Sequence, residues 1–196
     1  MNLKSLDLPE VKLLTPKRYF DDRGWFSETY NSKTFSKLGL RYTFVQDNQS
    51  LTNNIGTIRG LHFQNPPYAQ VKLLRVLQGR IFDAVVDIRV GSPRFGKFVA
   101  IELSAEDGSA ILVPEGFAHG FMSLEEKTEV LYKVSKFHVP SAEFGINPMD
   151  PDLKIPWPVE DIGHHGNVYS SERDSTFPML KEAHSAFIYP ERIKEK

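Results

Sequence analysis

Apolar and polar residues alternate over short spans along most of this chain, and turn-forming residues separate the spans. The pattern predicts strands over residues 11–14, 24–29, 42–50, 56–64, 71–78, 80–89, 97–103, 110–113, 120–123 and 128–136. The runs Lys72-Leu73-Leu74-Arg75-Val76-Leu77 and Ile81-Phe82-Asp83-Ala84-Val85-Val86-Asp87-Ile88 are rich in branched and apolar residues. Such side chains fit a pleated, half-buried surface, and Gln78-Gly79 and Gly91-Ser92-Pro93 supply the turns that bound them. Helical patterning is confined to 32–38 and, near the C-terminus, 177–185. Pro148, Pro151, Pro156 and Pro158 make 145–160 a loop laid over the body, because proline removes a ladder donor. The expectation is an all-β sandwich or barrel with few short helices, forming one domain over 1–196 with no internal repeat or linker.

Composition narrows the class. The chain has 196 residues, 24 Lys and Arg against 25 Asp and Glu, and a formal net charge of −1. Without a basic stripe, nucleic acid and anionic membranes are poor partners, although a local basic pocket for a small phosphorylated ligand stays open. There is no cysteine, which removes disulfides, thiolate nucleophiles and Cys-based metal sites and suits a reducing cytoplasm. Met1-Asn2-Leu3-Lys4-Ser5-Leu6-Asp7 carries charges and no apolar stretch of signal-peptide type. No apolar run approaches the roughly 20 residues that span a bilayer.

Candidate chemistry concentrates in Arg59-Gly60-Leu61-His62-Phe63-Gln64. Strand alternation sends Gly60, His62 and Gln64 to one face and Arg59, Leu61 and Phe63 to the other. Histidine exchanges protons near neutrality, and arginine suits phosphate or a developing oxyanion. Alone, the segment reads as a core-edge histidine beside a surface arginine. A second stretch, Pro114-Glu115-Gly116-Phe117-Ala118-His119, resembles the second signature of the cupin superfamily, a double-stranded β-helix or jelly roll. In metal-bearing cupins its histidine joins a His-x-His pair, but the counterpart here is His62-Phe63-Gln64. Gln is a poor transition-metal ligand, so no metal and no other cofactor is expected. His119 reads equally as a hydrogen-bonded structural histidine and as a substrate contact.

Taken in order, the blocks carry a closer resemblance. They are Asp22-Arg23-Gly24-Trp25-Phe26-Ser27-Glu28, Phe44-Val45-Gln46-Asp47-Asn48, the Arg59–Gln64 segment, Ala69-Gln70-Val71-Lys72-Leu73, Phe82–Arg89, Gly91-Ser92-Pro93-Arg94-Phe95-Gly96, Pro114–Phe121 and Leu131-Tyr132-Lys133. Together they resemble the dTDP-4-dehydrorhamnose 3,5-epimerase family. The resemblance implies an isomerase that inverts C3 and C5 of a dTDP-linked 4-keto sugar. It implies His62 as the base, Asp174 of Ser171-Glu172-Arg173-Asp174 as its carboxylate partner, Tyr132 as the opposing acid and Lys72 on the keto oxygen. It further implies Arg59 and His119 at the substrate, Gln46 and Asn48 along the nucleotide cleft, and Arg173 near phosphate. Tyr19, Arg23 and Glu28 would reach that cleft from a second subunit of a homodimer with an exchanged N-terminal strand. Taken singly, Tyr132 reads as a surface strand tyrosine, Lys72 as solvated, Asp174 as a turn cap, and Arg23 and Glu28 as a surface ion pair.

The chain departs from that pattern near the nucleotide. The position expected to stack on the base is His138, after Phe137, where relatives carry a second adjacent aromatic. Pro148-Met149-Asp150 replaces a Trp-Asn-Asp segment, and Arg173 replaces a lysine. These changes bear on base preference more than on reaction type.

Overall fold

The structure is a computed structural model and describes residues 1–161 and 168–189. The C-terminal stretch expected over 145–196 therefore lies partly outside the described residues. The strands are β1 (Asn2–Ser5), β2 (Lys12–Thr15), β3 (Arg18–Asp21), β4 (Gly24–Ser27), β5 (Gln46–Thr52), β6 (Ile58–Gln64), β7 (Lys72–Gln78), β8 (Arg80–Asp87), β9 (Phe98–Ser104), β10 (Ala110–Val113), β11 (Phe117–Ser123), β12 (Thr128–Val134) and β13 (Glu143–Gly145). Two short helices, α1 (Ser32–Lys37) and α2 (Glu172–Ser175), complete the regular structure with two 3₁₀ turns.

One sheet runs β1-β2-β10-β7-β12-β5 and a second β13-β6-β11-β8-β9, while β3 and β4 pair in a separate hairpin, all antiparallel. This is a cupin-type jelly roll, as expected. Leu74, Val76, Ile111 and Val130 of the first sheet meet Ile81, Val85, Leu103, Phe117 and Phe121 of the second in the central core. The outer face of the second sheet, with Leu61, Phe63, Val86 and Met122, is covered by Ile146, Leu153, Ile155 and Trp157. The proline-rich stretch is thus a loop over the body, and it closes a second apolar layer. On the other side, Phe35 of α1 and Leu40 cover Leu14, Leu73 and Leu112. Asn31 caps α1 by accepting from the Lys33 and Thr34 amides. Among the described residues no helix is long and apolar enough to cross a membrane.

Local expectations are corrected at the short strands, at the C-terminal helix and at β6. Strands β1, β3 and β13 were not legible, because they are short and largely polar or exposed edge pieces. The helix expected over 177–185 is a single 3₁₀ turn, Leu180–Glu182. The regular turn lies earlier, in α2, where Ser171 accepts from the Asp174 amide.

Strand β6 departs from the expected alternation. Its register against β11 pairs His62 with His119 but Arg59 with Phe121. Three steps on β6 face two on β11, so β6 carries one extra residue, a bulge. Strict alternation would separate Arg59 from His62; the bulge returns both to the interior face and sends Ile58, Leu61 and Phe63 together to the outer layer. Gly60 permits it. Its φ is +126°, and a Cβ there would lie 2.6 Å from Gly120 Cα and 2.8 Å from His119 O.

Candidate active site

A cavity of about 500 Å³ opens between the sheets. It brings together His62 and Arg59 from β6, Lys72 from β7, His119 from β11, Tyr132 from β12, and Arg173 and Asp174 from α2.

His62 Nε2 lies 2.9 Å from Asp174 Oδ1. The other carboxylate oxygen, Oδ2, accepts from the Gly60 amide at 3.0 Å, so Asp174 grips both the bulge and the imidazole it presents. Burial works to raise the Asp174 pKa, but the hydrogen bond and charge of His62, with the Gly60 and Ser171 contacts, bring it below the ordinary carboxylate range. Asp174 is therefore an anion at neutral pH, and it accepts from Nε2–H. That leaves Nδ1 as the ring nitrogen with a free lone pair.

Lys72 donates to the His62 carbonyl at 3.1 Å. Burial lowers its pKa from 10.5 to about 8, against the opposing pull of the Glu143 and Asp83 carboxylates. The ammonium is thus charged at neutral pH and poorly hydrated, the condition in which a cation stabilises a nearby oxyanion most. Tyr132 stands opposite Asn48 on β5 and Leu74 on β7. Burial raises its pKa, Glu143 adds to the rise, and Arg59 opposes it. Its hydroxyl keeps its proton at neutral pH, as a general acid must.

Arg59 is tethered to β5, with Nε donating to Thr52 Oγ1 at 3.0 Å and Nη2 to the Leu51 carbonyl at 3.2 Å. His119 Nε2 lies 2.8 Å from Asp83 Oδ2, and both residues are buried. Among the described residues no group of three or more His, Cys, Asp or Glu is placed to hold a metal ion. Gln64, in the place of the second cupin histidine, is a brace instead. Its Nε2 donates to the Tyr68 and Phe137 carbonyls, and its Oε1 accepts from the Val139 amide. It thereby fixes the loop that carries His138.

His138 does not line the cavity. Its amide donates to Gln46 Oε1 at 3.1 Å, and its Nε2 lies 3.0 Å from Glu143 Oε2. The same oxygen pairs with Arg173 Nη2 at 2.8 Å. Gln46 Nε2 in turn donates to Asn48 Oδ1 at 2.8 Å. Tyr19, Arg23 and Glu28 do not line the cavity of their own chain. Arg23 pairs with Asp21 at 2.6 Å, not with Glu28, and Glu28 accepts from Asn31 Nδ2 at 2.9 Å.

The family model described as dTDP-4-dehydrorhamnose 3,5-epimerase matches residues 5–182. A dTDP-4-dehydrorhamnose 3,5-epimerase of Sinorhizobium fredii is 45% identical over 96% of this chain and 94% of its own length. The chain belongs to the dTDP-4-dehydrorhamnose 3,5-epimerase family. Solved structures of this epimerase family agree with the fold. The dTDP-6-deoxy-D-glucose-3,5-epimerase of Legionella pneumophila, in complex with dTDP-4-keto-L-rhamnose, is 38% identical with a TM-score of 0.89, covering 97% of this chain and 99% of that one. The dTDP-4-dehydrorhamnose 3,5-epimerase of Bacillus anthracis, with TDP and pyrophosphate bound, is 42% identical with a TM-score of 0.85, covering 91% and 98%.

Three residues that contact cavity-lining side chains were not marked as such by the sequence. Asp83 had a signal, a carboxylate in the middle of an apolar strand, which is rarely buried without a partner. Glu143 and Phe177 had none. Both come to the site through β13 and the α2 turn, and neither element shows an amphipathic repeat.

Proposed function

We propose that this chain is the isomerase that inverts C3 and C5 of dTDP-4-dehydro-6-deoxy-D-glucose, giving dTDP-4-dehydro-β-L-rhamnose for dTDP-L-rhamnose synthesis. The observation that carries the residue assignments is the shared cavity. One imidazole anchored by a carboxylate, one ammonium depressed to a pKa of about 8 and one protonated phenol line the same space.

Both reacting protons are α to the C4 ketone. His62 Nδ1 takes the proton from carbon, and Asp174 stabilises the imidazolium that forms. Electrons move onto the C4 oxygen, where Lys72 holds the enolate; a fixed donor there is worth roughly 3–4 kcal/mol. Tyr132 returns a proton from the opposite face and recovers its own from solvent, which inverts the carbon. His62 then releases its proton, and the cycle repeats at the second carbon. Arg59 and His119 contact the sugar and diphosphate, Arg173 the phosphate, and Gln46, Asn48 and His138 the nucleoside.

The active form we propose is a cytoplasmic homodimer with exchanged N-terminal strands. The β3–β4 hairpin supports it, since Phe20 and Phe26 are 75% and 71% exposed beside the exposed Tyr19 and Trp25. Contiguous exposed aromatics mark a protein contact surface. Docked there, Tyr19, Arg23 and Glu28 of the partner subunit would complete the nucleotide cleft.

The test is incubation with dTDP-, CDP- and GDP-linked 4-keto-6-deoxy sugars in deuterated buffer, followed by NMR. Deuterium at both C3 and C5 of the dTDP sugar is expected. Label at C3 alone would make the chain a 3-epimerase, and binding without any label would make it a non-catalytic sugar-binding cupin. His62→Ala should lose label at both carbons, with a rate loss of about 10²–10⁴, and retain nucleotide binding.

A further inference from the structure

The His62 imidazole is held from two directions by one turn of chain. Asp174 bonds its Nε2, and the Phe177 ring packs against it with centroids 5.6 Å apart and planes at 83°. The Phe177 amide lies 3.5 Å from the Asp174 carbonyl, so the carboxylate and the aromatic ring leave the same turn and reach the same imidazole. The space for that ring is made on the opposite strand. β13 places Gly145 in register with His62, and a Cβ on Gly145 would collide with three atoms of the Phe177 ring. The Arg173 guanidinium lies 5.4 Å from the centroid of the same ring.

We propose that Phe177 is a positioning residue for His62. It sets the plane of the imidazole and keeps water from the side where Nε2 meets Asp174. The inference rests on the reading of His62 as the base. A single hydrogen bond fixes one atom of a ring whose χ2 torsion is broad, so it leaves the plane free to swing. A perpendicular ring removes that freedom, because swinging the imidazole would drive it into the Phe177 wall. Proton transfer from carbon needs the lone pair aligned on the C–H bond, so loss of the wall should act on turnover and spare binding. Gly145 belongs to the same device. It supplies no contact of its own, but its missing side chain admits the ring.

Three variants test this. Phe177→Ala should lower kcat about tenfold with KM within about twofold of the parent. Phe177→Tyr keeps the ring and should stay near parental kcat. Gly145→Ala leaves Phe177 in the sequence but displaces it, and should reproduce the Phe177→Ala loss. A second readout does not depend on activity. Deuterium exchange at the His62 imidazole C2–H, followed by mass spectrometry, should speed up several-fold in Phe177→Ala and Gly145→Ala but not in Phe177→Tyr, because water then reaches the ring edge that Phe177 covers, with buried His119 as the internal control. Unchanged kcat and unchanged His62 exchange in a folded Phe177→Ala protein would overturn the inference, as would a Phe177→Tyr variant as impaired as Phe177→Ala. If the parent shows no epimerase activity, the function reading fails while the His62 exchange comparison still decides the role of Phe177.

Discussion

Asp174 reaches His62 across 112 residues of sequence, with Oδ1 2.9 Å from Nε2 and Oδ2 on the Gly60 amide. The carboxylate therefore fixes the imidazole and the bulged backbone beneath it together. Asp174→Asn keeps the shape but offers the imidazole a weaker, uncharged partner and removes the anion that stabilises imidazolium. A fall in kcat of about 10²–10⁴ is expected, with KM little changed. Steady-state kinetics check it; a kcat within threefold of the parent would remove Asp174 from the mechanism.

The alkaline side of the pH profile should follow Lys72. Its folded pKa of about 8 lies below the ordinary lysine value, so the ammonium is present below pH 8 and lost as pH rises through it. Turnover should fall along that limb. Removing a carboxylate that favours the charged form, by Glu143→Gln, should move the limb to lower pH, while Lys72→Arg should move it upward and leave some activity. Profiles of kcat/KM from pH 6 to 10 give the answer, and a limb insensitive to both changes would assign it to another group. The same depression has a sign for stability. Between pH 8 and 10.5 the unfolded chain binds more protons at this lysine, so its contribution to folding improves with rising pH.

Tyr132→Phe removes a hydroxyl and leaves the ring in its place between Asn48 and Leu74. Deprotonation by His62 should continue, but delivery of a proton to the opposite face should drop about 10²–10⁴-fold. The measurement is the ratio of solvent label washed into recovered substrate to label found in inverted product. A parental ratio would dismiss Tyr132 as the acid.

The exposed hairpin gives a prediction about assembly. Replacing Phe20 and Phe26 together with serine should shift the protein from dimer to monomer in light scattering and weaken substrate binding, because the cleft would lose the partner's Arg23 and Glu28. The change should leave the monomer folded, since both rings already face outward in the single chain. A variant that stays dimeric with parental KM would place the interface elsewhere.

Much of the architecture follows from short-range information. Ten of the strands lie where residue alternation and turn-forming residues place them, and α1 lies where helical patterning does. Local order also marks His62, Lys72 and Tyr132, since each lies inside a distinctive block on a strand. Residues such as Gln64 needed the fold. From sequence it is a missing metal ligand, and in the structure it is the brace that holds the His138 loop through three backbone contacts.

By itself the amino-acid sequence determined the all-β class, the family and the chemical types gathered for the reaction. Only the tertiary structure decided which of them face one another. Strand alternation put Arg59 and His62 on opposite faces, and the bulge at Gly60 put them on one. Nothing local distinguishes Asp174 from a turn cap, and no periodicity announces Glu143 or Phe177. The physical reason is that these contacts depend on inter-strand register and on space left by glycines. Both are set by how the two sheets and the C-terminal turn pack, not by the preferences of neighbouring residues.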